Sequence, residues 1–133
     1  MENQENKFGS GHYRPEKDER FMEVMARRRD LNNKLKAARE QVNAMTVFFD
    51  QKVPRERYND SALSGVYNDG LWGNYNVIGE IGEEMEKRLH WATDAGTVDL
   101  SDLEAKMAEV ESSLTDTETK LKAFVESLET KGE

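Results

Sequence analysis

The chain has 133 residues, of which 35% are charged and 36% hydrophobic, and its formal net charge is −8. This length fits one domain, and no apolar run approaches the ~18 residues of a membrane-spanning helix. Because cysteine is absent, disulfides, thiol nucleophiles and thiolate metal sites are ruled out. The two histidines cannot supply a zinc centre of three histidines within one chain. We therefore expect a protein without a cofactor that stays off membranes and is cytoplasmic.

The net charge hides an asymmetry between the two halves of the chain. Residues 1–60 carry 13 Lys or Arg against 11 Asp or Glu, whereas residues 61–133 carry 6 against 16, which gives +2 and −10. The positive charge is concentrated in a basic patch made of Arg27, Arg28, Arg29, Lys34, Lys36 and Arg39. We interpret this patch as a pairing surface for the acidic C-terminal helix, with phosphate or nucleic-acid binding as the alternative. Because the chain is acidic overall, direct nucleic-acid binding is not the expectation.

Residues 1–15 are polar and contain glycine, with Phe8 and Tyr13 as their large apolar anchors. A segment of this composition buries too little apolar surface to fold alone, and it lacks the apolar core of a signal peptide. We predict a flexible arm in which the two rings contact a partner. The rest of the chain, residues 16–133, is predicted to be a single helical domain.

A heptad pattern predicts the first helix, over about residues 16–50. Apolar side chains recur at alternating spacings of three and four from Phe21 to Phe49. Arg28 interrupts this stripe, and we expect it to reach outward or to pair across the seam with a glutamate. The helix ends before Pro54, because the residue that precedes a proline disfavours helical backbone angles.

Residues 53–74 are polar and rich in glycine and aromatic residues, and we predict an irregular connector. The tripeptide Tyr-Asn-Asp occurs at residues 58–60 and again at 67–69, either as two similar turns or by chance. Asn68-Asp69-Gly70 predicts a turn. The connector and the residue after it hold the candidate contact residues Arg55, Arg57, Tyr58, Tyr67, Trp72 and Tyr75. Such side chains form interface hot spots, stack on nucleobases, or close the open end of a helical core.

Two further helices are predicted, a middle helix over about residues 75–95 and a coiled-coil helix over about 100–131. Gly79 and Gly82 lie inside the middle helix, where they allow another helix to approach closely or expose backbone to a ligand. Ser101-Asp102-Leu103-Glu104 has the sequence of a capping box. The seam of the last helix consists of Leu100, Leu103, Met107, Val110, Leu114, Leu121, Phe124 and Leu128, with Thr117 as its polar member.

Catalytic chemistry finds no support in the pattern of titratable residues. Glu83, Glu86 and His90 share a face of the middle helix, but a bundle metal site needs a second Glu-x-x-His motif. We interpret these residues as a solvated polar face. No nucleophile has an activating partner at a recognisable spacing, and no phosphate-binding loop is present. The chain is therefore predicted not to be an enzyme and to hold no metal.

These features predict an all-α fold, an elongated helical hairpin or coiled-coil bundle of about three helices. A helix of ~30 residues is about 45 Å long, which exceeds the roughly 36 Å diameter of a compact globule of this length. The predicted function is a non-catalytic assembly or adaptor protein that self-associates or binds a protein partner through its seams. Short acidic coiled-coil chains with an arm resemble viral and phage accessory and scaffolding proteins. The alternatives are an acidic inhibitor that imitates nucleic acid, or an oligomer that sequesters a nucleotide-like ligand at the connector.

Overall fold

In the computed structural model, residues 18–131 are described, and they form three helical rods that pack side by side. The elements in chain order are α1 (Glu19–Lys52), a 3-10 turn (Arg55–Arg57), α2 (Ser61–Ser64), a π-helical segment (Gly65–Gly73), α3 (Asn74–Trp91), a 3-10 turn (Ala95–Thr97) and α4 (Ser101–Lys131). The backbone stays right-handed helical through both junctions of the π segment, so α2, the π segment and α3 form one continuous central rod. The predicted all-α bundle is confirmed.

The rods run up, down and up, so that α1 and α4 are parallel and the central rod is antiparallel to both. Arg27 bonds to Glu104 and Gln41 to Glu118, and both pairs have a separation of 77 residues along the chain. Two pairs with the same offset fix a parallel register between α1 and α4. With 34 residues, α1 is about 50 Å long, so the molecule is elongated.

The core is a single apolar cluster to which each rod contributes one face. From α1 come Val24, Leu31, Leu35, Ala38, Val42, Met45 and Phe49; from the central rod Leu63, Val66, Leu71, Ile78, Ile81 and Met85; and from α4 Leu100, Leu103, Met107, Val110, Leu114, Leu121 and Val125. The predicted seam positions Phe124 and Leu128 are half-buried. The heptad stripes of α1 and α4 are thus covered by each other and by the central rod, within one chain.

The connector is shorter than the predicted 53–74, because its second part is helical. Only residues 53–60 link α1 to the central rod without α- or π-helical structure. Asn68, Asp69 and Gly70 lie inside the π segment instead of a turn. Leu63, Val66 and Leu71 are each at most 2% exposed, and this burial outweighs the local preference of glycine for turns. The predicted arm, with Phe8 and Tyr13, lies outside the described residues.

Aspartate carboxylates accept backbone N–H groups at the starts of the helical elements. Just before α4, the carboxylate of Asp99 accepts the N–H of Ser101 at 2.9 Å and its hydroxyl at 2.7 Å. The predicted capping box does not form, because the carboxylate of Glu104 is bound by Arg27 of α1. The other elements capped in this way are α1, α2 and the second 3-10 turn, by Asp18, Asp60 and Asp94.

Candidate functional site

Four aromatic side chains face solvent at the end of the bundle where α1 meets the central rod. Their exposed fractions range from 37% to 52%, whereas the large apolar side chains of the core are almost completely buried. We call them the aromatic surface, which consists of Tyr58, Tyr67, Trp72 and Tyr75. The structure thus brings together four of the candidate contact residues predicted from the sequence.

The rings of the aromatic surface hold one another in place. Buried Phe49 contacts Tyr58 and Tyr67, with ring centroids 5.3 and 5.1 Å apart. Tyr67 meets Trp72 nearly at right angles at 6.5 Å, and Trp72 meets Tyr75 in the same way at 6.3 Å. Edge-to-face pairs are a favourable arrangement of aromatic rings. The surface is therefore ordered before any partner binds.

The π winding brings Tyr67 and Trp72 into contact. On an α-helix, residues five apart point about 140° away from each other. In a π-helix the backbone hydrogen bond joins residues five apart, so such residues lie nearly above one another. An α-helical central rod would separate the two rings and open the aromatic surface.

Contacts made by Gly70 and Asn74 support the π segment on its buried side. Gly70 is buried so closely against Thr117 of α4 that an added Cβ would lie 3.0 Å from Thr117 Cβ and closer to its Oγ1 and Cγ2. The buried Asn74 amide donates to the Gly70 carbonyl at 2.7 Å and to Ser113 Oγ at 2.9 Å. Thr117, the polar member of the predicted seam, is therefore the residue that faces the glycine.

Two grooves flank Tyr67. The larger, of about 390 Å³, lies on the Tyr58 side and is lined by Phe49, Tyr58, Asn59, Asp60, Leu63, Ser64, Tyr67 and Asn68. The smaller, of about 240 Å³, lies between α1 and the central rod and is lined by Val42, Asn43, Thr46, Tyr67, Leu71, Trp72 and Tyr75. We call the smaller one the ring groove. It combines apolar walls with the amide and hydroxyl of two α1 residues, as binding sites for small apolar groups do.

Sequence reasoning missed the α1 residues of this site and left the repeat beside it open between two similar turns and chance. Asn43 and Thr46 gave no signal of their own, although they flank the buried heptad residue Val42. The two Tyr-Asn-Asp tripeptides have different backbones, one in the loop and one in the π segment. They do not mark two similar turns, but their tyrosines pack on the same ring, that of Phe49.

The two arginines predicted beside the rings have different surroundings. Arg55 is exposed and lines a depression together with Tyr58, and it forms no ion pair with any residue between 18 and 131. Arg57 approaches the carboxylate of Asp60 at 3.6 Å. One cation next to the aromatic surface is thus left for a partner.

The basic patch is divided between pairs that hold the bundle together and cations that face solvent. Arg27 bonds to Glu104 of α4 at 2.9 and 2.5 Å, and this pairing lowers the pKa of the Glu104 carboxyl. Arg28 pairs across the seam with Glu86 of α3 at 2.9 and 3.0 Å, which is one of the two alternatives that the sequence left open for it. Within the described part of the chain, no ion pair forms at Arg29, Lys34, Lys36 or Arg39. The interpretation as a pairing surface for α4 therefore applies to one of the six residues.

At the opposite end of the bundle, Arg88 joins α3 to the start of α4. Its guanidinium donates to both oxygens of Asp102 at 2.7 and 2.8 Å and to Glu84 at 3.0 Å. The bond from Arg88 lowers the pKa of Asp102 from 3.8 to about 2. The predicted polar face consists of Glu83, Glu86 and His90. Two of these residues make separate contacts: Glu86 binds Arg28, and the His90 ring meets the ring of Trp91.

In the described range, no three His, Asp or Glu side chains are grouped so that they could hold a metal ion. None of the helices between residues 18 and 131 has the length and apolar character needed to span a membrane. The chain matches no protein-family model, no curated protein and no solved structure.

Proposed function

We propose that this chain is a non-catalytic helical adaptor that binds a protein partner through its aromatic surface. The observation that carries the proposal is a set of four solvent-facing rings linked by contacts: two of them pack on the buried ring of Phe49, and Trp72 meets Tyr67 and Tyr75 edge to face. Tyr and Trp are the residues from which interface hot spots are built. A large apolar side chain at the surface contributes most to binding when it is already ordered in the free protein.

The sequence predicted contact with a partner through the heptad seams. We propose the aromatic surface instead, because the seams are covered within the chain. The α4 seam residues from Leu100 to Leu121 are buried within the chain, so they offer no free stripe in this conformation. Self-association, and contact through Phe8 and Tyr13, stay predictions. An accessory or scaffolding role in a virus or phage, in the cytoplasm or the virion, is the setting that this size and architecture favour.

The test is capture of a partner from the native source by the tagged full chain, with identification by mass spectrometry. Trp72→Ala removes the central ring of the aromatic surface. Trp91→Ala is the matched control, because Trp91 is 74% exposed and lies at the opposite end of α3. Circular dichroism of both variants checks that the helices remain.

The expected result is a partner that the wild type and Trp91→Ala retain and Trp72→Ala loses. Equal capture by all three proteins would contradict the proposal. A partner lost with Trp91→Ala alone would place the docking site at the other end of the molecule, which also contradicts it.

The two alternatives predicted from the sequence have less support. Imitation of nucleic acid needs an uninterrupted acidic stripe, but Lys120 and Lys122 pair with Asp116 and Glu118 on α4 at 3.0 and 3.1 Å. For a nucleotide-like ligand, the residues that line the ring groove supply no cation to the phosphates, and Lys36 and Arg39 on the same edge of α1 lie one heptad, about 10.5 Å, further along the helix. Thermal stabilisation by a nucleotide, lost in Tyr67→Ala, would favour this second alternative.

A further inference from the structure

The edge of α1 that lines the ring groove continues into two cations. Lys36 and Arg39 lie one heptad before Asn43 and Thr46, which line the groove, so the four residues share one edge of the helix. Arg28 lies eleven residues, or three helical turns, before Arg39 on the same edge. It contacts α3 through Glu86. The edge that carries Arg39 thus faces the central rod along its length.

The facing edge of α3 has no side chain opposite these cations. Tyr75 lines the ring groove with α1 and Glu86 binds Arg28, so both residues mark the edge of α3 that faces α1. Gly79 and Gly82 lie four and seven residues after Tyr75, on that same edge. A trough therefore continues from the ring groove along the two helices.

Packing does not require either glycine. A Cβ added to Gly79 would meet nothing within 4 Å, and one added to Gly82 would meet only Leu35 Cδ1, at an ordinary 3.7 Å. The interpretation that these glycines admit a closely packed helix is therefore wrong for this structure. Their effect is to leave the trough open at the level of Lys36 and Arg39.

We call this feature the cationic trough, defined by Lys36, Arg39, Gly79 and Gly82. Lys36 and Arg39 are exposed, and neither has an ion-pair partner among residues 18–131. Two exposed cations without an ion-pair partner in this range favour an acidic ligand on this edge of α1. Charge complementarity thus identifies the occupant of the trough.

We propose that the ring groove and the cationic trough together bind an acidic peptide segment of a partner protein. An apolar side chain of the segment enters the ring groove beside Trp72 and Tyr75, and its carboxylates lie along the trough against Arg39 and Lys36. One heptad of α1 spans about 10.5 Å, which an extended peptide covers in about three residues. The apolar anchor and the carboxylate are therefore about three residues apart. This inference rests on the proposed function, which it deepens by assigning the partner chemistry.

Two other occupants fit the site less well. The aromatic rings of the same chain's arm do not reach the ring groove: Thr46 is about 42 Å along α1 from Asp18, and Phe8, which is farther from Asp18 than Tyr13, can extend about 36 Å from it at most. A single-stranded nucleic acid needs free ring faces on which bases stack. Here Trp72 stands nearly perpendicular to both Tyr67 and Tyr75, so the three rings do not present parallel faces to successive bases.

The experiment selects random dodecapeptides from a displayed library on the full chain and measures the affinity of the recovered, fluorescein-labelled peptides. The variants are Trp72→Ala and Arg39→Glu. The matched control is Lys34→Glu, which makes the same change of charge sign on α1 in the groove that α1 forms with α4, beside Glu104 and Met107. Oligothymidine is added as a competitor.

Selected peptides are expected to carry an aromatic or aliphatic residue with Asp or Glu about three residues away. Their affinity is expected to fall about tenfold in Arg39→Glu, to fall with added salt, and to stay unchanged in Lys34→Glu. Gly79→Leu, which fills the trough and leaves the core untouched, is expected to weaken the same peptides.

Three results would overturn the inference, and they separate it from the proposed function. Peptides that need Trp72 but are neutral or insensitive to Arg39→Glu contradict the acidic occupant and leave the adaptor role standing. Peptides that bind equally well to Trp72→Ala contradict both. Displacement of the peptides by oligothymidine in a manner that depends on Arg39 assigns the trough to nucleic acid.

Discussion

The two ends of the bundle use their polar and aromatic residues in opposite ways. At the ion-paired end, Arg27, Arg28 and Arg88 each bind a carboxylate on another element, so the charges there hold the rods together. At the aromatic end, the π segment and a buried amide support four rings that remain open to solvent. Arginines that bind carboxylates on other elements hold one end together, whereas a cluster of four uncovered rings in contact with one another or with Phe49 indicates a binding surface at the other.

The largest expected effect concerns the core that both ends share. Leu114 is fully buried in the middle of α4, and Leu114→Ala is expected to lower the free energy of unfolding by about 2–5 kcal/mol. Because the seam is covered within one chain, the midpoint of urea unfolding should not depend on protein concentration. A midpoint that rises with concentration would show that a second copy completes the core.

The next effect separates the aromatic end from the rest of the central rod. Gly70→Ala places a methyl group against Thr117 of α4 and is expected to cost about 1–3 kcal/mol of folding stability. The control is Gly79→Ala in α3, where the methyl group meets open space and should stabilise the helix by about 0.5–1 kcal/mol. Chemical denaturation of both variants measures this, and destabilisation of the same size at both positions would refute the close packing at Gly70.

At the ion-paired end the expected effects are smaller. Arg28 and Glu86 are partly exposed, so a double-mutant cycle with Arg28→Gln and Glu86→Gln should give a coupling energy of about 0.2–1 kcal/mol. The coupling should shrink when salt is added to the denaturation buffer. A coupling of zero would mean that the pair does not contribute to the antiparallel register of α1 and α3.

The smallest effect is a pH dependence at the same end. The pKa of Asp102 is lowered to about 2 by Arg88, so its contribution to stability is present above its usual pKa of 3.8 and is lost as pH falls toward about 2. Between roughly pH 5 and pH 2, the free energy of unfolding of the wild type should therefore fall more steeply than that of Asp102→Asn. Parallel pH profiles would contradict the bond to Arg88.

The sequence predicted the regular part of the fold well, because heptad spacing reflects burial directly. The last helix was predicted over about 100–131 and extends over Ser101–Lys131. For Arg28, the basic residue in the α1 stripe, the sequence left an outward position or a pair with a glutamate across the seam, and the structure has the pair. Both signals are local in the sequence and depend on one helix face.

The aromatic end could be predicted only in its composition. The rings were identified as contact candidates, but glycines and Asn68-Asp69 locally favour a turn, and the helical winding depends on burial against α4. The contact of Gly70 with Thr117 joins two distant segments, and no local pattern shows it. One sign was present, since a single threonine in an apolar seam indicates that something small or polar faces it.

The most direct test of the aromatic surface uses the only two tryptophans of the chain as separate reporters, Trp72 in the π segment and Trp91 at the far end of α3. In Trp91→Phe, the emission of Trp72 should shift to shorter wavelength and resist acrylamide quenching when the captured partner is added. In Trp72→Phe, the emission of Trp91 should stay unchanged. A shift confined to Trp91, with Trp72 unaffected, would contradict the assignment of the docking site to the aromatic end.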